Sequence, residues 1–253
     1  MTDKQDAVLP FDGPLIEGRL VQRYKRFLAD VELADGKVIT VHCPNPGAML
    51  GIKDPGLRVW ILDSGNPKRK LRYTLEVIEA DGGLIGINTN RPNKLAERAI
   101  INGLVPELTI APGHSLRREV KYGKNSRIDL LIEKDGQPEA PQTFIEIKNV
   151  HLLRPEARPQ KMAEFPDSIT SRGSKHLVEL SDQVAAGHRA VMLYVIQRMD
   201  CLRFGIASDI DQAYGKAFVA AQAAGVEALA YDCHIDLSGI VLANKLEIPP
   251  VVL

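Results

Sequence analysis

The chain reads as a small β-barrel followed by a mixed α/β domain, and three observations carry that reading. Five or six short strand patterns with no long helix fill the first 90 or so residues. Helical spacing first appears just after Asn90, at Leu95, Ala99, Ile100 and Leu104. From there strands and helices alternate toward the C-terminus. A length of 253 residues suits one large or two small domains, and the expected division is 1–90 and 91–253.

In the first region, Leu15 to Tyr24 predicts a strand, and Phe27, Ala29, Val31 and Leu33 alternate with polar residues. Asp35-Gly36 then turns the chain into Val38 to Cys43, because Asp-Gly between alternating runs is a strong hairpin signal. Leu57 to Leu62, Tyr73 to Ile78 and Leu84 to Ile87 complete the barrel set. The second region holds strand patterns at Ser115 to Tyr122, Arg127 to Glu133 and Thr143 to Val150. A polar loop, His151 to Gly173, leads to a helix from Ser174 as N-cap to Ala186, with Leu177, Leu180 and Val184 as its apolar stripe. Ala190 to Gln197 is nearly all apolar, as in a strand covered on both faces. Cys201 to Ala207 predicts a further strand, and Ser208 with Asp211 a capping-box-like start to a helix ending at Gly225.

Composition excludes several function classes. Hydrophobic residues are 45% and charged residues 25%, as in ordinary globular proteins. Apolar runs fall far short of the roughly 20 residues that span a bilayer, so no membrane partner is expected. The segment Met1 to Asp6 has no apolar core of a secretory signal. Three unpatterned cysteines, Cys43, Cys201 and Cys233, suggest neither a disulfide framework nor a zinc site. The cytoplasm is the expected compartment. Lys+Arg and Asp+Glu both total 32, but the balance is uneven along the chain. Arg117, Arg118, Lys121, Lys124 and Arg127 face only Glu119 between His114 and Ile128, while the last fifty or so residues are acidic. A neutral total thus conceals a basic face, for which a solvated strand edge is the plain alternative.

The residues that carry chemistry are Asp129, Glu146 and Lys148. In Phe144-Ile145-Glu146-Ile147-Lys148 the acid and the lysine share one strand face. Asp129 interrupts an apolar strand, and Asp135-Gly136-Gln137-Pro138 offers a turn between the two strands. A hairpin closing there sets Asp129 opposite Glu146, with Cβ atoms about 5 Å apart. Two carboxylates that close repel unless a cation lies between them, and oxygen ligands with open positions suit Mg²⁺ or Mn²⁺. Lys148 could then orient an attacking water or stabilise charge on a phosphoryl group. A surface Asp/Glu/Lys salt-bridge cluster is the other reading of the same triplet. Glu97 is a candidate further ligand, and Gln183 a candidate to hold water or phosphate. Candidate nucleic-acid contacts are Arg23, Lys25, Arg26, Lys68 and Arg69, interleaved with Tyr24, Phe27 and Tyr73, then Arg118, Lys121, Arg127, Arg172, Lys175 and His176. Exposed loops have the same composition. Neither a Walker loop, G-x-G-x-x-G nor G-x-S-x-G occurs.

Asp129 followed by Glu146-x-Lys148 resembles the PD-(D/E)xK restriction-endonuclease-like superfamily, although Ile128 stands where that superfamily usually has proline. More specific are Asn45-Pro46-Gly47-Ala48-Met49, Ser126-Arg127-Ile128-Asp129, Glu146-Ile147-Lys148-Asn149-Val150, Phe165-Pro166-Asp167 and Thr170-Ser171-Arg172-Gly173-Ser174-Lys175-His176-Leu177. Together they resemble the sugar fermentation stimulation protein family over essentially the whole chain. That resemblance implies an N-terminal OB-type β-barrel, a restriction-endonuclease-like α/β domain with a mixed central sheet, and DNA binding without sequence preference. It also implies a nuclease-like site at Asp129, Glu146 and Lys148, with Glu97 joining, and a regulatory link to sugar metabolism. The expected activity is Mg²⁺- or Mn²⁺-dependent phosphodiester cleavage. A non-catalytic DNA-binding regulator is the alternative, and a homodimer is compatible with either.

Overall fold

The structure, a computed structural model, describes residues 4–123 and 126–253. Met1, Thr2 and Asp3 of the N-terminal segment, and Lys124 of the basic segment, lie outside the described residues. The chain starts with a one-turn helix α1 (Lys4–Ala7) and a two-residue strand β1 (Leu9–Pro10). Six strands follow: β2 (Leu15–Tyr24), β3 (Leu28–Leu33), β4 (Val38–His42), β5 (Arg58–Asp63), β6 (Tyr73–Ala80) and β7 (Gly83–Gly86). They pair in the order β4-β3-β2-β5-β6-β7, and a parallel bridge from His42 to Thr74 brings β4 back to β6, closing the barrel. The alternating residues point inward as their period requires, so Leu20, Ala29, Val31, Val41, Val59, Ile61, Leu75 and Ile78 form the barrel core. Gly18 allows the tight coil of β2, since a Cβ there would lie 2.8 Å from the Glu32 carbonyl oxygen.

The rest of the chain forms α2 (Pro92–Ile101), β8 (His114–Tyr122), β9 (Ser126–Lys134), β10 (Thr143–Val150), β11 (Met162–Phe165), α3 (Ser171–Ala185), β12 (Arg189–Ile196), β13 (Arg203–Ile206), α4 (Gln212–Ala223), β14 (Glu227–Ile235) and β15 (Gly239–Lys245). The main sheet has the order β1-β15-β14-β12-β10-β9-β8. Its centre, β10-β12-β14, is parallel and its flanks antiparallel, which makes it the mixed sheet expected. β12 is buried along its length after Arg189, as its apolar run requires. α2 covers one face over Leu95, Ala99 and Ile145, while α3 and α4 cover the other over Leu177, Phe218 and Tyr194.

Four local features differ from the sequence reading. The His151 to Gly173 segment holds a strand, β11, paired with β13; at four residues with a charged Glu164 it is too short to show alternation. The cap of α3 is Thr170, not Ser174: Thr170 Oγ1 accepts the Gly173 N–H, and Ser174 sits inside the first turn. The cap of α4 is Asp211, not Ser208. Its Oδ1 accepts the Tyr214 N–H while its Oδ2 accepts the Thr170 N–H, so one carboxylate ties the starts of both helices. Finally, β1 pairs with β15 rather than with the barrel, Leu9 opposite Ile240. β1 therefore forms one edge of the main sheet.

The two units meet around Arg198, whose side chain is fully buried. Its guanidinium donates to Asp81 of the β6–β7 turn at 3.0 Å, to Asp200 at 2.7 Å and to the His151 carbonyl at 3.0 Å. Arg91 and Glu76 form a second buried pair, at 2.7 Å. No helix among the described residues is long and apolar enough to cross a membrane. Arg198→Met is expected to cost about 3–5 kcal/mol, because it strands two partly buried aspartates. Adding Asp81→Asn and Asp200→Asn should recover part of that loss, which urea unfolding midpoints of the single and triple variants will measure.

Candidate active site

The β9–β10 ladder pairs Thr143 with Ile132, Phe144 with Leu131 and Ile145 with Leu130, then stops. The same register places Asp129 opposite Glu146, as the hairpin geometry anticipates. The ladder stops because the strands part around the Asp129 side chain. Its Oδ2 accepts the Ile147 N–H at 2.7 Å, taking over from a backbone carbonyl. Its Oδ1 accepts from Asn93 Nδ2 at 2.8 Å, so the first turn of α2 holds the other side of the carboxylate.

Glu146 is 3% exposed. Lys148 Nζ donates to its Oε1 at 2.6 Å, and His176 Nδ1 from α3 meets the same oxygen. Arg172 Nε donates to His176 Nε2 at 3.3 Å. His176 Nδ1 also lies 3.2 Å from Lys148 Nζ, so ammonium and imidazole converge on one oxygen of Glu146. Glu146 Oε2 is buried and has no partner among the described residues. The two acids are electrostatically unlike. Burial, reinforced by the charge of Glu146, pushes Asp129 up to about 6, over the opposing hydrogen bonds from the Ile147 N–H and Asn93. Burial also acts against Glu146, but the His176 hydrogen bond and the Lys148 charge outweigh it and hold that acid below the ordinary glutamate range. The arrangement thus joins an orphaned carboxylate oxygen to a reluctant aspartate, and these two residues carry the lone pairs that a hard cation would take.

A cleft of about 400 Å³ opens over Asp129 and His176, with Glu146 buried behind them, and is lined by Glu119, Ser126, Arg127, Asp129, Arg172, Lys175 and His176. Glu119 turns toward it through a left-handed residue, φ 52°, in the middle of β8. Arg127 and Arg172 are exposed at its rim. Lys175 also contacts Ser126 Oγ, at 3.2 Å, and Glu179, at 3.5 Å.

The remaining expected residues divide. His176 lies buried within the carboxylate cluster, where its Nδ1 meets Glu146, and not on a solvated helix face. Glu97 pairs with Arg118 of β8 at 3.4 Å, and Asn93, one turn earlier on α2, is the residue that reaches Asp129. Gln183 lies two helical turns, roughly 10 Å, beyond His176 and is not among the residues lining the cleft. Arg23 is committed internally: its Nη2 donates to the carbonyls of Arg26, Asn45 and Gly47 at 2.8, 2.7 and 2.9 Å. Lys25 and Arg26 form an exposed hairpin tip with φ of 48° and 63°. Lys68 and Arg69 are exposed in the β5–β6 loop, and Lys121 on β8. Sequence reasoning missed Asn93. Its only local signal is an amide in the first turn of a helix with proline at its start, and its partner is 36 residues away.

A model of the sugar fermentation stimulation protein RE domain matches residues 90–239, and one of the SfsA N-terminal OB domain matches residues 21–87. The chain belongs to the sugar fermentation stimulation protein family. Sugar fermentation stimulation protein homologs from Brucella ovis and Maricaulis maris are each 54% identical to it, the first over 95% of this chain and 96% of the relative, the second over 95% and 98%. A Pyrococcus furiosus structure, SfsA in complex with Ca²⁺, superposes with a TM-score of 0.81 at 26% identity, covering 96% of this chain and 99% of that one. The family fold is therefore an N-terminal OB domain joined to a C-terminal α/β domain with a mixed sheet.

The raised Asp129 value has a measurable sign. The fold binds this proton more tightly than the unfolded chain, whose ordinary value is 3.8. The stabilising contribution is therefore complete below about pH 4 and lost as pH rises through about 6. In EDTA, Asp129→Asn should melt higher than wild type above about pH 6 and alongside it near pH 4, with Asn93 free to reverse its amide and keep the hydrogen bond. Melting curves at the two pH values provide the check.

Proposed function

We propose that the protein binds DNA without sequence preference and hydrolyses its phosphodiesters with Mg²⁺ or Mn²⁺. The observation that carries the reading is the unpartnered Glu146 Oε2 beside Asp129, under a rim of Arg127, Arg172 and Lys175. Asp129 and Glu146 would hold the cation, which supplies charge neutralisation and polarises a phosphoryl oxygen. Two carboxylates with open positions suit Mg²⁺, which keeps several of its waters. The Ca²⁺ in the Pyrococcus furiosus structure supports a divalent cation in this fold.

The chain's own residues supply the rest. Arg127, Arg172 and Lys175 hold the phosphate backbone, a contact blind to base identity and weakened by salt. His176 and Asn93 fix the two carboxylates from opposite faces of the sheet. Lys148 Nζ, 2.6 Å from Glu146, would orient a water and stabilise negative charge as the phosphoryl group is attacked. Three free, buried thiols agree with a reducing cytoplasm as the working compartment.

The test is incubation with linear, circular and single-stranded DNA in Mg²⁺, Mn²⁺ or EDTA. Wild type should cleave only with a divalent ion. Asp129→Ala and Glu146→Ala should each lose about a hundred- to a thousandfold in rate, as removal of a principal charge-stabilising group does, while retaining DNA affinity within a few fold. DNA that stays intact under every condition, with a salt-sensitive gel shift for all three proteins, would replace this reading by a non-catalytic DNA-binding regulator.

A further inference from the structure

A second cleft, of about 330 Å³, lies between the two domains and holds none of Asp129, Glu146 or Lys148. Its size falls within the range of small-ligand sites. One wall is the barrel loop Asn45-Pro46-Gly47 with Arg26, and the other is the segment 164–170. The walls are locked together: the Ala48 N–H donates to Asp167 Oδ2 at 2.8 Å, and a Cβ at Gly47 would collide with that same carboxylate. This accounts for the Asn45-Pro46-Gly47 segment, which the carboxylate site does not use. The cleft adjoins that site at two points. Asn149 and Val150 line it immediately after Lys148 on β10, and Thr170 lines it two residues before Arg172.

We propose that this cleft receives one unpaired nucleotide of a DNA strand whose neighbouring phosphate lies at the carboxylate site. The inference rests on the phosphodiester reading above and adds the form of the substrate. Four features support it. Ile169 lines the cleft yet is 82% exposed, an apolar face left open beside the half-buried ring of Phe165. A base would cover that surface by stacking, whatever its identity. Asp167 accepts only the Ala48 N–H and the Ser168 hydroxyl among the described residues. Its remaining lone pairs favour the amino edge of a base and repel a phosphate. Arg26, whose guanidinium has no partner among the described residues, stands at the lip where the next phosphate would pass. Phe27, the following residue, is 48% exposed. A duplex has its base edges paired and cannot enter a cleft of this volume, so only an unstacked base reaches Asp167.

The experiment uses the full chain in EDTA, where binding is read without cleavage. Oligonucleotides carrying 2-aminopurine at successive positions are titrated as single strands and as duplexes. The single strand should bind more tightly, and fluorescence should rise at one position as its base leaves the stack. Ile169→Ala and Arg26→Gln, both at exposed positions, should each weaken single-strand binding by about five- to tenfold and abolish the rise. For Ile169→Ala, duplex affinity should stay within about twofold, since a duplex is held through its phosphates. Equal affinity for both forms with no fluorescence change would overturn the proposal, as would wild-type behaviour in both variants. Displacement of the oligonucleotide by millimolar glucose or maltose would also overturn it, making the cleft a sugar site. The outcome separates from that of the catalytic reading. Mg²⁺-dependent cleavage without the fluorescence change defeats the cleft alone, whereas the fluorescence change without cleavage under any divalent ion supports the cleft and removes the nuclease.

Discussion

Two carboxylates lie side by side in the interior edge of one sheet, and the local architecture is arranged to tolerate them. A buried charge is costly unless it is paired and hydrogen-bonded. Here the compensation comes from four directions: a backbone N–H of the facing strand, an amide from α2, an ammonium on the same strand and an imidazole from α3. The settlement is incomplete, because Asp129 stays reluctant to ionise and Glu146 Oε2 has no partner. An incompletely neutralised pair is a poor structural element. It supports the proposal that the pair takes up a cation.

The sheet topology explains why both helices can reach the pair. β10 is internal, flanked by antiparallel β9 and parallel β12, so α2 packs on one face and α3 on the other. Where β9 and β10 part, both helices gain access to the same gap. α3 then serves two clefts with its N-terminal end: its cap Thr170 lines the cleft at the domain boundary, and Arg172, Lys175 and His176 line the carboxylate cleft. The barrel is held to this arrangement by Arg198 with Asp81, and by the Gly86 N–H donated to the Gln197 carbonyl at 3.0 Å. The barrel loop therefore lines a cleft that adjoins the carboxylate pair.

Much of this was legible in the residue pattern. Asp35-Gly36, the alternation from Phe27 to Leu33 and the continuous apolar run of β12 are local signals whose physical cause lies within a few residues. The pairing of Asp129 with Glu146 was legible for the same reason, since a hairpin turn sets the register of the strands it joins. The misplaced helix starts are instructive. Ser174 and Ser208 have cap chemistry as good as that of Thr170 and Asp211, and the choice depended on Asp211 bonding to both helix ends at once. That is a tertiary condition.

The sequence alone determined most of the strands and helices, the change from barrel to mixed sheet near Asn90, and the acid pair with its lysine, because periodicity and turn chemistry act over short spans. It missed β11 and the placement of β1. Only the tertiary structure decided which distant groups complete the site. Asn93, 36 residues from Asp129, and His176, 30 residues from Glu146, arrive through helix packing. Half-buried Arg23 is held in the same way, since three carbonyls of the folded barrel accept from its Nη2. A side chain's type fixes the bonds it is able to make, and only the packed fold determines which partners come within reach.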